Sequence, residues 1–115
     1  MANGVPPPYQ SSIVAQVSSK MEVNVFTDVA LQLDTGQSIT ASPAPTATLV
    51  DAAGDVDVSA TSLVTPVTVS GTKLVVIVKA LVAGHYYRLT FTYLPTPPDF
   101  TGQQLSAVQP VNCQF

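Results

Sequence analysis

A single histidine, His85, and a single cysteine, Cys113, limit the chemistry open to this 115-residue chain. A Ser–His–Asp nucleophile needs a serine and a carboxylate gathered around an imidazole, and nothing in the sequence marks such a serine. His85 stands between Gly84 and Tyr86 and reads as an exposed residue of a turn. A zinc centre needs three or four ligands of His, Cys and carboxylate type, more than one His and one Cys provide. Asp51, Asp55 and Asp57 crowd a segment that contains Gly54, and hard oxygens on a glycine turn are what calcium takes. The segment lacks EF-hand spacing and a distal bidentate Glu, so it reads as a solvated acidic hairpin. Gly71 and Gly84 are isolated turn glycines rather than a phosphate cradle. Cys113 has no partner for an intramolecular disulfide. It reads as a small buried hydrophobe, with an intermolecular thiol as the alternative. The expectation is a chain without catalytic residues, metal or cofactor.

Composition points the same way. Hydrophobic residues make up 46% of the chain and charged residues only 10%, against roughly 25% in an ordinary soluble domain. Net charge opposes association, and a nearly neutral surface suits a protein docked into an assembly. The net charge of −3 and the scattered Lys20, Lys73, Lys79 and Arg88 argue against nucleic acid as a partner. No apolar run approaches a membrane span, and no charged leader precedes an apolar stretch, so neither membrane nor signal peptide is expected.

The elements that must position any site are strands. Leu74–Val78 is an unbroken β-branched and Leu run. After it, Tyr87, Leu89, Phe91 and Tyr93 alternate with Arg88, Thr90 and Thr92, the period of a half-buried antiparallel strand. Shorter strands are read at 13–17, 21–26, 38–41, 46–51 and 56–59, with turns at Asp34-Thr35-Gly36, 51–55 and Ser70-Gly71-Thr72. Pro66 interrupts 63–69 and implies an edge or a bulge. In the last strand, 104–113, Leu105, Ala107, Gln109, Val111 and Cys113 share one parity, and Pro110 implies an edge position. Pro95, Pro97 and Pro98 stiffen the preceding loop against pairing. No helix is expected. The sum is an all-β, antiparallel sandwich of seven to eight short strands over 13–115. Its expected core is Val25, Ile39, Leu49, Leu74, Val76, Val78, Leu81, Tyr87, Leu89 and Phe91.

Residues 1–12 read as an extended proline-rich arm that lies along a neighbouring subunit, with Pro6, Pro7, Pro8 and Tyr9 as contacts. Val75 and Ile77 point away from the core-facing parity and form an apolar stripe available to a partner. Pro97 and Phe100 in the last long loop complete the expected protein interface.

Between the two central strands, Leu81, Gly84 and Tyr87 resemble the corner of fibronectin type III and other immunoglobulin-like sandwiches. The resemblance implies that Leu81 plugs the core and that the Tyr87 hydroxyl bonds back to the corner backbone. More widely, Leu33-Asp34-Thr35-Gly36-Gln37-Ser38-Ile39, the Gly84 to Thr90 corner and the Thr101-Gly102-Gln103 hairpin before Ser106 to Cys113 are similar to small immunoglobulin-like virion proteins of tailed bacteriophages. The early strands lack the aromatic residues common there, and the prolines lengthen the last hairpin. The resemblance implies a structural component of the virion, assembled in the host cytoplasm. It would serve as capsid decoration or as a tail–fibre adaptor, with other virion proteins as partners and many copies or a homo-oligomer. The alternative is a carbohydrate- or cell-surface-binding module that uses Tyr9, Tyr86, Tyr93 and Phe100.

Overall fold

The computed structural model describes residues 9–10, 14–41 and 43–115. In chain order the strands are β1 (Tyr9–Gln10), β2 (Ala15–Val17), β3 (Val23–Asp28), β4 (Ser38–Ile39), β5 (Thr46–Asp51), β6 (Val56–Asp57), β7 (Leu63–Ser70), β8 (Lys73–Val78), β9 (Tyr86–Tyr93), β10 (Pro95–Thr96) and β11 (Leu105–Cys113). A 3-10 turn at Ala30–Gln32 and the one-turn α1 (Ser59–Ser62) are the helical segments among the described residues. The protein is thus mostly β, 51% strand and 7% helix, in several sheets. The two helical turns were not expected. Each follows an Asp whose carboxylate accepts a backbone N–H two residues on, Asp28 from Ala30 and Asp57 from Ser59. That local bond turns the chain without any apolar periodicity.

Two sheets supply the core. The larger runs β1-β11-β9-β5-β6, with β2 also beside β11; the smaller runs β3-β8-β7. The pairings β11–β9, β9–β5, β3–β8 and β8–β7 are antiparallel, but β1 and β2 run parallel to β11. The expectation of an entirely antiparallel architecture is corrected to that extent. Alternation explains the layers: β11 buries Leu105, Ala107, Gln109, Val111 and Cys113, and β8 buries Leu74, Val76 and Val78. All ten expected core residues are buried, joined by Val17, Val29, Leu63, Val67 and Tyr93 among others. The Thr27 hydroxyl, on the inward side of β3, is buried with no hydrogen-bond partner among the described residues.

Prolines were the least legible feature. Pro110 does not put β11 at an edge, because β11 lies between β9 and the β1/β2 pair. Instead, Pro110 falls between the stretch paired with β1, Ala107 and Val108, and the stretch paired with β2, Val111 to Cys113. A residue without an N–H is tolerated where the ladder on one side is interrupted. Pro95 does not block pairing either; it is buried and stands opposite Ile39 in the small β4–β10 ladder. Pro66 does sit in an edge strand, where β7 changes register between Val64 and Thr68. Tyr9 and Gln10, read as part of an arm lying on a neighbour, pair with Ala107 and Val108 of the same chain. Pro6, Pro7 and Pro8 lie outside the described residues.

Candidate interaction surface

The outer face of the three-stranded sheet is built by cross-strand rows. Asn24, Ile77 and Val64 form one row; Phe26, Val75 and Thr68 form the next. Between those rows three residues of β7, 65–67, stand opposite Val76 alone. Such a bulge bends the strand and opens the face. The result is a groove of about 220 Å³ lined by Asn24, Val64, Pro66, Thr68, Val75, Val76 and Ile77. Val75 and Ile77 are half-buried at its floor, so the two residues read as outward-pointing do face out. Phe26 beside them is 51% exposed, with the Lys73 Nζ 4.9 Å from its ring centroid. That cation–π contact sets an ammonium over one face of the ring. The sequence reading missed Phe26 in this role, although its parity in 21–26 already placed it opposite Val23 and Val25.

Pro97 and Phe100 lie apart from this groove, exposed in the connection between β9 and β11. There the chain is braced against the β3–β5 connection. Gln37 Nε2 donates to the Pro97 carbonyl at 2.7 Å and to Asp99 Oδ1 at 3.1 Å. Gln103 accepts from the Asp99 N–H at 2.7 Å and donates to its Oδ2 at 3.3 Å. Thr40 and Thr96 hydroxyls also bond each other.

The corner sits at the opposite end of the strands. Leu81 is buried, and Gly84 holds φ +84°, where a side chain is strained. The Val82 N–H donates to the Tyr87 hydroxyl at 2.8 Å. Burial raises the Tyr87 phenol above its usual range in spite of that bond, so the ring remains neutral at physiological pH. Tyr87→Phe is expected to lose about 0.5–1.5 kcal/mol. Chemical denaturation measures it, and no change would mean that the bond contributes nothing.

His85 is not a free surface residue. Its Nδ1 lies 2.8 Å from Asp51 Oδ2, and Asp51 Oδ1 accepts the Ala53 N–H at 2.9 Å. The two residues are 34 positions apart and meet because Asp51 ends β5 opposite Tyr87, at the start of β9. The His85 ring and the Ala53 N–H hold the Asp51 carboxyl below the usual carboxylate range. A depressed carboxyl adds stability that is present above the ordinary carboxylate pKa of about 3.9 and is lost as pH falls through the lower folded value. The stability difference between wild type and Asp51→Asn is therefore expected to shrink as pH drops below about 4. Urea titrations at several acidic pH values measure it, and a difference that stays constant through that window rules this linkage out.

The acidic trio does not converge. Asp51 goes to His85, Asp55 pairs with Arg88, and Asp57 takes the Ser59 N–H. Among the described residues no cluster of three His, Cys, Asp or Glu side chains is placed to hold a metal ion. Cys113 is fully buried, and burial pushes its thiol pKa up, so its sulfur packs as an apolar group. Of the aromatic residues named for glycan binding, Tyr93 is 1% exposed, and Tyr86 and Phe100 lie at opposite ends of the strands. No family model matches the chain, and neither the curated proteins nor the solved structures yield a match. The surface must be read from its own chemistry. That chemistry is an apolar, sparsely charged sheet face with a groove at its middle strand.

Proposed function

We propose that this chain is a non-enzymatic structural component of a tailed-phage virion, an immunoglobulin-like sandwich that binds neighbouring virion proteins as capsid decoration or as a tail–fibre adaptor. One observation carries the assembly role. A chain with 10% charged residues leaves Phe26, Val75 and Ile77 accessible around a groove on one sheet face. Apolar patches of this kind mark contact sites, and low charge lets many copies crowd together.

Strand order supports the immunoglobulin-like reading. Take β1 and β2 as a split first strand, and leave β6 and the small β4–β10 ladder out of the count. The second, fourth and fifth strands then share one sheet, and the third, sixth and seventh share the other. The Tyr87 hydroxyl bond at the start of β9 fits the corner of that fold. The phage assignment rests on the sequence resemblance across 20–113.

Particles isolated from cells that make the protein provide the test. The chain is expected to sediment with them and to occupy repeated sites in electron micrographs. Val75→Thr with Ile77→Thr keeps strand propensity while removing the apolar floor, and it should release the chain from the particles with its melting transition retained. A wild-type chain that stays at the position of a free 12.0 kDa protein overturns the proposal.

A further inference from the structure

The outer face of the three-stranded sheet carries a knob as well as a hole. The knob is Phe26, 51% exposed on β3. The hole is the groove of about 220 Å³ beside the bulge of β7, and β8 lies between those two strands. An apolar cavity of about 150 Å³ takes one benzene ring, so the groove has room for one phenyl side chain. Phe26 does not line the groove of its own copy; its ring lies by the Lys73 ammonium instead.

Charge on this face is balanced row by row. The two central rows, led by Asn24 and Phe26, hold no ionisable side chain. At one end Asp28 stands opposite Lys73. At the other, Glu22 and Lys79 flank the Val23–Val78 pair, again one acid and one base. A face without net charge does not repel a second copy of itself, and it offers a strongly charged partner no advantage.

We infer that this face binds the same face of a second copy, with Phe26 of each copy seated in the groove of the other. A two-fold axis lying in the contact along β8 sets β8 on β8 and lays β3 of each copy over the bulged β7 of its partner. Rows stay level under that operation. Phe26 shares a row with Thr68, so it lands at the partner's Thr68, on the rim of the groove. Sheets packed face to face cross at about 30°, which keeps the central rows engaged and spreads the ends apart. Each Lys73 leans away from the axis, over Phe26 of its own copy. The contact is isologous and closes at two copies. It rests on the assembly reading above and names the neighbour at this face as another copy of the chain. The face is only three strands wide, so the pair is weak in dilute solution and is held by crowding on a particle.

The test is sedimentation velocity over a concentration series reaching about 1 mM, where even a millimolar dissociation constant is read. The wild type should pass from monomer to dimer. Phe26→Thr keeps strand propensity and removes the knob. Thr68→Lys, at an exposed position, obstructs the groove. Each should raise the dissociation constant at least about tenfold, as loss of a seated aromatic anchor does. Melting curves check that both variants fold. An equimolar mixture should dimerise more than either variant alone, because Phe26 of the Thr68→Lys chain still finds an intact groove on the Phe26→Thr chain. A wild type that stays monomeric, a Phe26→Thr chain that associates as well as the wild type, or a mixture no better than its parts overturns the inference. If particles carry the chain and any of these results is found, only the self-contact falls. If particles do not carry the chain, the assembly reading falls whatever the sedimentation result.

Discussion

Phe91→Ala should destabilise the protein by about 3–5 kcal/mol, toward the upper part of that range. Phe91 is fully buried near the middle of β9. Its row across the larger sheet is Ala47 on β5, Phe91, and Ala107 on β11. The strand on either side carries alanine at this level, so the ring fills the space above two methyl groups. Truncation would leave three alanines side by side. None of them can swing into the void, and a cavity that cannot collapse carries the largest penalty. Phe91→Leu keeps most of the volume and should cost less than about 1.5 kcal/mol. Urea denaturation with an unchanged m-value measures both. A Phe91→Ala loss under about 2 kcal/mol would show that neighbouring layers relax into the space.

Gln32→Ala is expected to cost about 2–3 kcal/mol, a large effect for a residue that is only half-buried. Gln32 ends the 3-10 turn, and its amide reaches two adjacent strands of the larger sheet, β9 and β11. Its Nε2 donates to the Ser106 carbonyl at 2.9 Å, and its Oε1 accepts the Tyr93 hydroxyl at 2.7 Å. Tyr93 is 1% exposed, and burial holds its phenol far above the usual range, so the hydroxyl is a permanent donor. Removing the amide leaves that donor buried without its acceptor, the expensive way to break a hydrogen bond. Tyr93→Phe removes the donor as well and should cost only about 1 kcal/mol. The double variant should then resemble Tyr93→Phe more than the sum of the two changes. Additivity in a double-mutant cycle would mean that the two side chains do not interact.

Strand positions and their inward faces were open to sequence reading because each depends on a local period. Leu74, Val76 and Val78 on β8, and Tyr87, Leu89 and Phe91 on β9, face inward because alternate residues of a pleated strand lie on one side. The outward stripe of Val75 and Ile77 follows from the same rule. The corner around Leu81, Gly84 and Tyr87 was legible because it needs a glycine φ, an apolar plug and a phenol within seven residues. Nothing local, however, tells a strand which neighbour it pairs with. Parallel pairing of β1 and β2 with β11, and with it the inner position of Pro110, depends on residues about 100 positions apart meeting in register. The pairing of His85 with Asp51, the Gln32 bridge and the groove beneath the β7 bulge are of the same kind. Each comes from side chains or strands that have no relation in sequence until the sheets pack. Alternation thus determined which residues of this protein are inside, because burial follows a period of two along any strand. Only the tertiary structure decided which outside residues stand together, because that depends on register between distant strands.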